Sequence, residues 1–306
     1  MSHVAAIFAG QGAQAIGMGR DLAEAFPECR ALFYNASQVL GYDLAAVCNE
    51  GPIEKLTQTS ICQPAIFTVS ACCLAALRLR KPSFAFQAAA GLSLGEWTAL
   101  YAAGVISFEQ GVHILAARGK FMQEACEETP SGMVTFSKID PLKFPDLAAK
   151  TGLHAANFNT ASQVVYSGSK DAIATAEAEA RALGGRAIVL AVAGGYHSPF
   201  MASAATKLKA FLSGETFCAP KIPVYSNVTG ERHGGPDAIR DAMVAQVTSS
   251  VRWMDTVGAM TRDGISHFTE FGPGQILSGL VKKTAPTAIT SSVSDIVTLE
   301  AAATLL

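Results

Sequence analysis

Residues 84 to 97 read FAFQAAAGLSLGEW, an apolar, strand-like run followed by Gly91-Leu92-Ser93-Leu94-Gly95 and a helical pattern. A serine between two glycines, after a strand and before a helix, is the arrangement of a nucleophile elbow, in which a tight turn lifts the hydroxyl to the carboxyl edge of a sheet. The helix that begins there directs the positive end of its dipole at the serine, and the amide of Leu94 is a candidate oxyanion donor. The stretch therefore predicts Ser93 as a nucleophile. With 27 glycines in the chain, a plain glycine-rich turn is the alternative.

Short apolar strands and helical patterns alternate along the rest of the chain, which is typical of α/β layer architecture. Ser107 and Gln110 fit a capping box that opens a helix to about Glu127. The further elements we expect are strands over Val4–Ala9, Phe84–Ala90, Ile222–Ser226 and His267–Phe271, and helices over Gln63–Leu79, Gly95–Ala103, Pro236–Val247 and Gln275–Lys283.

The stretch from residue 126 to 196 has a different order, β-α-β-β-α-β, which is the ferredoxin-like pattern. We interpret it as a small inserted subdomain, with residues 1–125 and 197–306 forming the two parts of a large one. The elements expected within it are strands over Met133–Lys138, His154–Phe158, Gln163–Gly168 and Arg186–Ala193, and helices over Pro141–Lys150 and Asp171–Leu183.

Composition excludes several classes of protein. Of 306 residues, 50% are hydrophobic and 16% are charged, so the chain is neither disordered nor collagen-like. The formal net charge is -2, which favours neither nucleic acid nor a membrane surface as a partner. Apolar runs such as Val4–Ala9 are far below the roughly 18 residues that a membrane span needs. The start, Met1 to Val4, does not resemble a signal peptide and is expected to enter a first buried strand.

The cysteines and histidines indicate no metal site. The seven cysteines are scattered and form no C-x-x-C pair, so we expect reduced, buried thiols in a cytoplasmic protein. The six histidines show no paired metal-ligand spacing, which makes zinc unexpected.

Two further residues are candidates for chemistry beside Ser93. His197 follows an apolar strand within Gly194-Gly195-Tyr196-His197, where it could face a cleft and serve as the base that a serine needs. Arg118 lies on an apolar helix, one turn before Met122, and its forked guanidinium suits a carboxylate. An internal salt bridge is the alternative for Arg118, and a structural or surface role is the alternative for His197.

The loop that begins at Gly10-Gln11-Gly12 formally fits a dinucleotide-binding fingerprint. Its continuation, Ile16-Gly17-Met18-Gly19, is poor material for the helix that must hold a pyrophosphate. A glycine-rich loop that presents backbone amides to an oxyanion is the better interpretation.

Together these motifs resemble the malonyl-CoA:acyl carrier protein transacylase family, and the resemblance covers essentially the whole chain. Several separate motifs in the right order are far more specific than a single elbow. The motifs that carry the resemblance are Phe8–Gln14, Gly91–Leu100, Arg118-Gly119, Ala156–Asn159 with Gln163–Val165, Tyr196–Ser198, Gln246 with Val251–Trp253, and Glu270–Gly274.

The resemblance implies a large α/β-hydrolase-like subdomain with a small ferredoxin-like one, and a ping-pong transfer of malonyl from coenzyme A to a carrier-protein thiol. It implies Ser93 as nucleophile, and His197 as base and then acid, oriented by a main-chain carbonyl near Gln246. It also implies an oxyanion hole from the amides of Gln11 and Leu94. The residues implied to contact substrate are Arg118, which would pair with the malonyl carboxylate, together with Met122, Asn157 and Tyr196.

The sequence departs from the family pattern at two positions. Leu92 stands where the family usually has histidine, and Tyr196 where malonyl-specific members usually have phenylalanine. Methylmalonyl-selective relatives tend to have serine in place of Tyr196 and glutamine in place of Leu94. The resemblance therefore implies selection against an α-methyl branch.

The resemblance implies malonyl-CoA and acyl carrier protein as partners, no cofactor and no metal; we expect a cytoplasmic monomer without membrane or nucleic-acid partners. A basic docking patch is expected, with Arg78, Arg80 and Lys81 or Lys282 and Lys283 as candidates. The alternatives are a polyketide-synthase loading acyltransferase, a serine thioesterase or hydrolase, a non-catalytic binding module, and a nucleotide-binding oxidoreductase.

Overall fold

The computed structural model describes residues 3–306, so Met1 and Ser2 of the expected first strand lie outside the described residues. Before the second sheet the elements are β1 (His3–Phe8), α1 (Arg20–Ala25), α2 (Pro27–Leu40), α3 (Leu44–Glu50), α4 (Ile53–Thr57), α5 (Thr59–Arg80), β2 (Ala88–Gly91), α6 (Leu94–Ala102) and α7 (Phe108–Glu128). The second sheet and its helices are β3 (Ser131–Ser137), α8 (Phe144–Thr151), β4 (His154–Thr160), β5 (Gln163–Ser169), α9 (Lys170–Ala182) and β6 (Arg186–Val189). After it come α10 (Ala202–Leu212), α11 (Pro236–Ala245), α12 (Trp253–Arg262), β7 (Ile265–Phe271), α13 (Ile276–Thr284), β8 (Ile289–Val293) and α14 (Ile296–Leu305).

The first sheet is parallel and has the strand order β2-β1-β7-β8. Parallel strands end at the same edge, so the loops that follow β1, β2 and β7 meet there. Gln11 follows β1 and Ser93 follows β2, which brings two candidate site residues to one edge of the sheet. Helices cover both faces, as an all-parallel sheet requires.

The expected strand over Ile222–Ser226 is wrong. This segment runs beside β2 but makes only isolated bridges, from Val224 to Ala89 and from Tyr225 to Arg232. Pro223 cannot donate a ladder hydrogen bond, and its carbonyl instead accepts one from the amide of Ala89. The edge strand β8, which the pattern did not predict, forms the other side of the sheet.

The second sheet is antiparallel with the order β4-β5-β3-β6, and α8 and α9 pack on it around a separate small core. The element order β-α-β-β-α-β confirms the ferredoxin-like pattern. Arg186–Val189 of the last expected strand forms β6, and the amide of Leu190 still donates to the carbonyl of Met133 on β3. Residues 190–193 line the cleft described below. We propose residues 126–196 as the small subdomain, although α7 continues to Glu128.

Two helices, α7 and α5, show features that can be read from the sequence. The capping box predicted at the start of α7 is confirmed, since the Ser107 hydroxyl accepts from the amide of Gln110 and the Gln110 side chain accepts from the amide of Ser107. Helix α5 is long and apolar enough to cross a membrane by length and composition, but 83% of its most apolar window is buried in this fold. It is the central core helix and carries Cys62, Cys72 and Cys73 as buried thiols.

Candidate active site

Ser93 occupies a strained turn between β2 and α6, at φ 55° and ψ -105°. The residues two positions before and two positions after it must be glycine. A Cβ on Gly91 would lie 2.0 Å from the carbonyl carbon of Gly95, and a Cβ on Gly95 would lie 2.2 Å from the carbonyl oxygen of Phe8. Backbone strain that the surrounding packing holds in place is common at catalytic sites. The turn thus has the geometry of a nucleophile elbow, as the sequence predicts.

His197 lies beside the serine, with its Nε2 2.8 Å from the Ser93 Oγ. Its Nδ1 lies 2.8 Å from the main-chain oxygen of Gln246, which can only accept a hydrogen bond. The proton is therefore on Nδ1, and Nε2 is free to accept the hydroxyl proton of Ser93. A carbonyl takes the place that an aspartate has in a Ser-His-Asp triad.

The environment of His197 disfavours its charged form. The side chain is 4% exposed, and burial, reinforced by the positive charge of Arg118, lowers the pKa of His197 to about 4. Hydrogen bonds to the carbonyls of Gln246 and Ser249 act in the opposite direction but are weaker. His197 is thus neutral over the whole physiological range of pH, as a residue that accepts a proton must be.

We expect the rate of acyl loading onto Ser93 to be constant from pH 8 to 6 and to fall only near pH 4, where His197 becomes protonated. Single-turnover loading across this range measures the midpoint. An ordinary histidine would place it near 6.5, and that result would contradict the assignment. In the unfolded chain His197 takes up its proton near pH 6.5, before the folded chain does, so the free energy of unfolding should fall as pH drops from about 6.5 towards 4. Thermal unfolding at each pH separates this loss of stability from the loss of loading rate.

Arg118 extends from α7 into the core behind the serine and is 1% exposed. Its Nη1 donates to Gln63 Oε1 at 2.6 Å, and its Nη2 donates to Gln246 Oε1 at 2.9 Å and to Ser93 Oγ at 3.2 Å. Burial lowers the pKa of Arg118 to about 10, which leaves the guanidinium charged at neutral pH. Its Nε has no hydrogen-bond partner within residues 3–306. The salt bridge considered from the sequence is not formed, because all three acceptors are neutral.

The two expected oxyanion donors lie at the carboxyl edge of the first sheet, where Ser93 also lies. Leu94 is the first residue of α6, where the backbone amide has no partner within the helix. Gln11 follows β1 and lines the same cleft as Ser93. The side-chain amide of Gln11 donates to Thr59 Oγ1 at 3.4 Å, which ties the loop to the start of α5.

The serine opens into a cleft of about 210 Å³ between the two sheets. Leu92, the first departure from the family pattern, lines it next to Ser93, while Arg118, Gln246 and Leu94 are buried around Ser93. The residues from both subdomains that line the cleft include Gln11, Met122, Asn157, Tyr196 and His197.

Tyr196, the second departure from the family pattern, is held at both ends. Its hydroxyl lies 2.6 Å from Thr59 Oγ1 on α5, and its carbonyl accepts from Ser167 on β5. Burial raises the pKa of Tyr196 to about 12, so the phenol is neutral. The ring is therefore a fixed wall of the cleft, fastened to both subdomains.

Four residues around the site were not predicted. Asn227 accepts from the amide of Ser93 at 2.7 Å and donates to the carbonyl of Gly91 at 2.8 Å, so it braces the elbow. Glu96 and His233 form a buried pair behind Gln246, and Gln63 holds Arg118. Each is a single polar residue in an unremarkable local context, and only Glu96 stands within a quoted motif.

The first of the two basic clusters lies far from the cleft. Thr59, at the start of α5, touches Tyr196, whereas Arg78 and Arg80 lie at the other end of that helix, about 30 Å away at 1.5 Å per residue. Lys282 and Lys283 lie in the last turn of α13, which also contacts β4, and they stay a candidate docking pair. Arg80 is instead paired with Glu300. The expectation that Arg78 and Arg80 flank the cleft mouth is wrong.

Comparisons with known proteins agree with this geometry. The family model described as "Acyl transferase domain" matches residues 6–301. A malonyl CoA-acyl carrier protein transacylase of Escherichia coli K12 is 38% identical over 300 residues, which cover 96% of this chain and 97% of the relative.

Two solved structures share the whole fold. The malonyl CoA-acyl carrier protein transacylase of Clostridium perfringens superposes with a TM-score of 0.94 at 35% identity, covering 99% of this chain and 97% of that one. A malonyl-transacylase solved in complex with a type II polyketide-synthase acyl-carrier protein superposes with a TM-score of 0.95 at 38% identity, covering 100% of both chains.

These structures have the α/β-hydrolase-like fold with a ferredoxin-like insertion, and the sheets described above match it. The motifs, the serine-histidine geometry and the full-length matches agree. The chain belongs to the acyl transferase family, is similar throughout to its malonyl CoA-acyl carrier protein transacylases, and is an acyltransferase.

Proposed function

We propose that the chain transfers a malonyl group from malonyl-CoA to the phosphopantetheine thiol of acyl carrier protein, through a malonyl ester on Ser93, and so supplies fatty acid elongation. The observation that carries this proposal is the buried, charged guanidinium of Arg118, whose Nη2 lies 3.2 Å from the Ser93 Oγ. A fixed cation beside a nucleophile suits an acyl group that carries its own carboxylate. A simple acetyl or long-chain acyl group would leave that charge unmatched.

In the first half of the reaction, Ser93 Oγ attacks the thioester carbonyl and passes its proton to His197 Nε2. The carbonyl oxygen becomes an oxyanion, which the amides of Gln11 and Leu94 would stabilise. The carbon–sulfur bond then breaks, and the coenzyme A thiolate leaves with the proton from His197. The products are malonyl-Ser93 and free coenzyme A.

The second half reverses these steps with a different thiol. The phosphopantetheine thiol gives its proton to His197 and attacks the Ser93 ester. The carbon–oxygen bond breaks, and Ser93 regains its proton from His197. The proposed reaction exchanges one thioester for another, so it needs no cofactor beyond its two substrates.

The other proposed substrate contacts are on the walls of the cleft. Met122 packs one turn beyond Arg118, where Gln63 Nε2 lies 3.5 Å from its sulfur. Asn157 faces the same space from β4, and Tyr196 closes it beside His197. We assign these three side chains to contact with the acyl group and the arm that carries it.

A steady-state assay that varies malonyl-CoA and holo carrier protein together tests the proposal. A ping-pong enzyme gives parallel double-reciprocal lines, because the first product leaves before the second substrate binds. Intersecting lines would contradict the covalent route. Release of free malonate faster than transfer to carrier protein would instead favour a hydrolase.

We expect methylmalonyl-CoA to load Ser93 more slowly than malonyl-CoA by about 10-fold or more, since one extra methyl group in a fixed pocket has an effect of this size. The fixed Tyr196 ring is the proposed cause. Tyr196→Ser should narrow the difference, whereas Tyr196→Phe, which keeps the ring, should preserve it. Equal loading of the two thioesters by the parent protein would contradict the expected selectivity.

The proposed partners are malonyl-CoA and acyl carrier protein, with no membrane or nucleic acid involved, and the proposed form is a cytoplasmic monomer. The similar transacylases described above support the carrier protein as acceptor. A polyketide-synthase carrier is the partner in one similar structure, so that pathway is the second candidate. Transfer to carrier proteins of the two pathways, assayed side by side, decides which one this chain serves.

A further inference from the structure

The side-chain amide of Gln246 has only one orientation that satisfies its neighbours. Its Nε2 faces three acceptors, namely Glu96 Oε2 at 2.6 Å, the Ser93 carbonyl at 2.9 Å and Asn227 Oδ1 at 3.4 Å. Its Oε1 faces a donor, Nη2 of Arg118, at 2.9 Å. Reversing the amide would set donor against donor at Arg118 and acceptor against acceptor at Glu96.

Glu96 is the residue that fixes this orientation. It lies on α6 one turn after Ser93 and is fully buried. Its Oε1 accepts from His233 Nε2 at 2.6 Å, and its Oε2 accepts from Gln246 and from the amide of Asn227 at 3.2 Å. A buried carboxylate needs such partners, because leaving it unpaired costs several kcal/mol.

The same line of contacts explains how Arg118 stays charged without a direct ion pair. The hydrogen bonds of the guanidinium all go to neutral oxygens, of Gln63, Gln246 and Ser93. Glu96 favours the charged guanidinium from the far side of Gln246. A carboxylate in direct contact would have occupied the fork that an incoming acyl carboxylate must use.

We propose that Glu96 is a positioning residue that acts on Arg118 through the Gln246 amide and so sets the preference for acyl groups bearing a carboxylate. This inference rests on the proposed malonyl transfer and deepens it. Glu96 touches no substrate. It orients Gln246, and Gln246 Oε1 holds the guanidinium towards Ser93.

The test is the ratio of malonyl to acetyl loading in Glu96→Gln, which keeps the shape of the side chain and removes its charge. We expect kcat/KM for malonyl-CoA to fall about 10-fold, as for loss of one charge-assisted hydrogen bond. The fall should lie mainly in KM, because carboxylate binding is weakened in ground state and transition state alike. Loading from acetyl-CoA should change by less than about 2-fold.

The matched control is Glu270→Gln. Glu270 is also fully buried at the carboxyl edge of the sheet, but it accepts from the amides of Leu277 and Ser278 at the start of α13. It should lose thermal stability and keep the malonyl to acetyl ratio. Gln246→Met, which leaves the main-chain carbonyl for His197, should lower the ratio as Glu96→Gln does.

An unchanged ratio in Glu96→Gln, or equal losses for both thioesters with a fall in Tm like that of Glu270→Gln, would overturn the inference. If Glu96→Gln does not fold, Gln246→Met decides in the same way, since it breaks the same contacts. If the parent protein itself does not load malonyl, the proposed function fails and the inference fails with it. Normal malonyl loading by the parent with an unchanged ratio in the variants overturns the inference alone.

Discussion

Replacing Ser93 by alanine is expected to remove acyl-enzyme formation completely, for malonyl-CoA and for acetyl-CoA. The hydroxyl is the only atom of the elbow that can form the ester, and His197 is placed to take its proton at 2.8 Å. Losing the nucleophile of a serine enzyme lowers turnover by about 10⁶-fold. The measurement is the transfer rate to carrier protein together with the mass of the protein after exposure to thioester.

Ser213→Ala is the matched control for this substitution. Ser213 lies at the end of α10, and its hydroxyl donates only to the carbonyl of Ala210. The control should load and transfer at the parent rate. A malonyl adduct that persists in Ser93→Ala would place the acyl group on another side chain and would contradict the assignment of the elbow.

Replacing Arg118 by alanine should lower malonyl loading about 10²- to 10³-fold, the usual effect of truncating one partner of a buried charge pair. Acetyl loading should fall far less, because acetyl brings no second carboxylate. Loading rates with both thioesters give this ratio directly. The parent guanidinium is buried and aimed at Ser93, so the preference for malonyl should depend on it more than on any other side chain.

Two comparisons keep that result interpretable. Arg118→Met removes the charge but fills more of the volume that alanine leaves empty. A similar malonyl to acetyl ratio in both variants would show that the lost charge, and not the lost packing, causes the effect. Arg240→Ala removes an arginine that contacts Asp237, the carbonyl of Glu215 and the ring of Phe217, and it should leave the ratio unchanged. Equal losses of malonyl and acetyl loading in Arg118→Ala would contradict a role in binding the carboxylate.

The chemistry of the site was largely predictable because its parts stand at the ends of strands. Ser93 and Gln11 follow strands of one parallel sheet, and such loops must meet at one edge. His197 could be placed only as a candidate, since no local pattern shows which distant serine it meets. Its contact with the Gln246 carbonyl came from family resemblance, and the 2.8 Å distance agrees with it.

What the sequence did not reveal has a common physical cause. Glu96, His233 and Asn227 act through buried hydrogen bonds between residues more than 130 positions apart, and such pairs have no periodic signal. Edge strand β8 is short and half-exposed, so it lacks the apolar run that marked the buried strands. Arg78 and Arg80 were expected near the cleft because sequence alone does not show which end of a helix faces the site.

The most direct test of the central claim is intact-protein mass spectrometry after brief exposure to malonyl-CoA, with acetyl-CoA alongside. We expect a single malonyl adduct on Ser93 that holo carrier protein discharges rapidly and water discharges slowly. An adduct lost quickly to water would show a hydrolase. No adduct from malonyl-CoA would contradict malonyl transfer through Ser93.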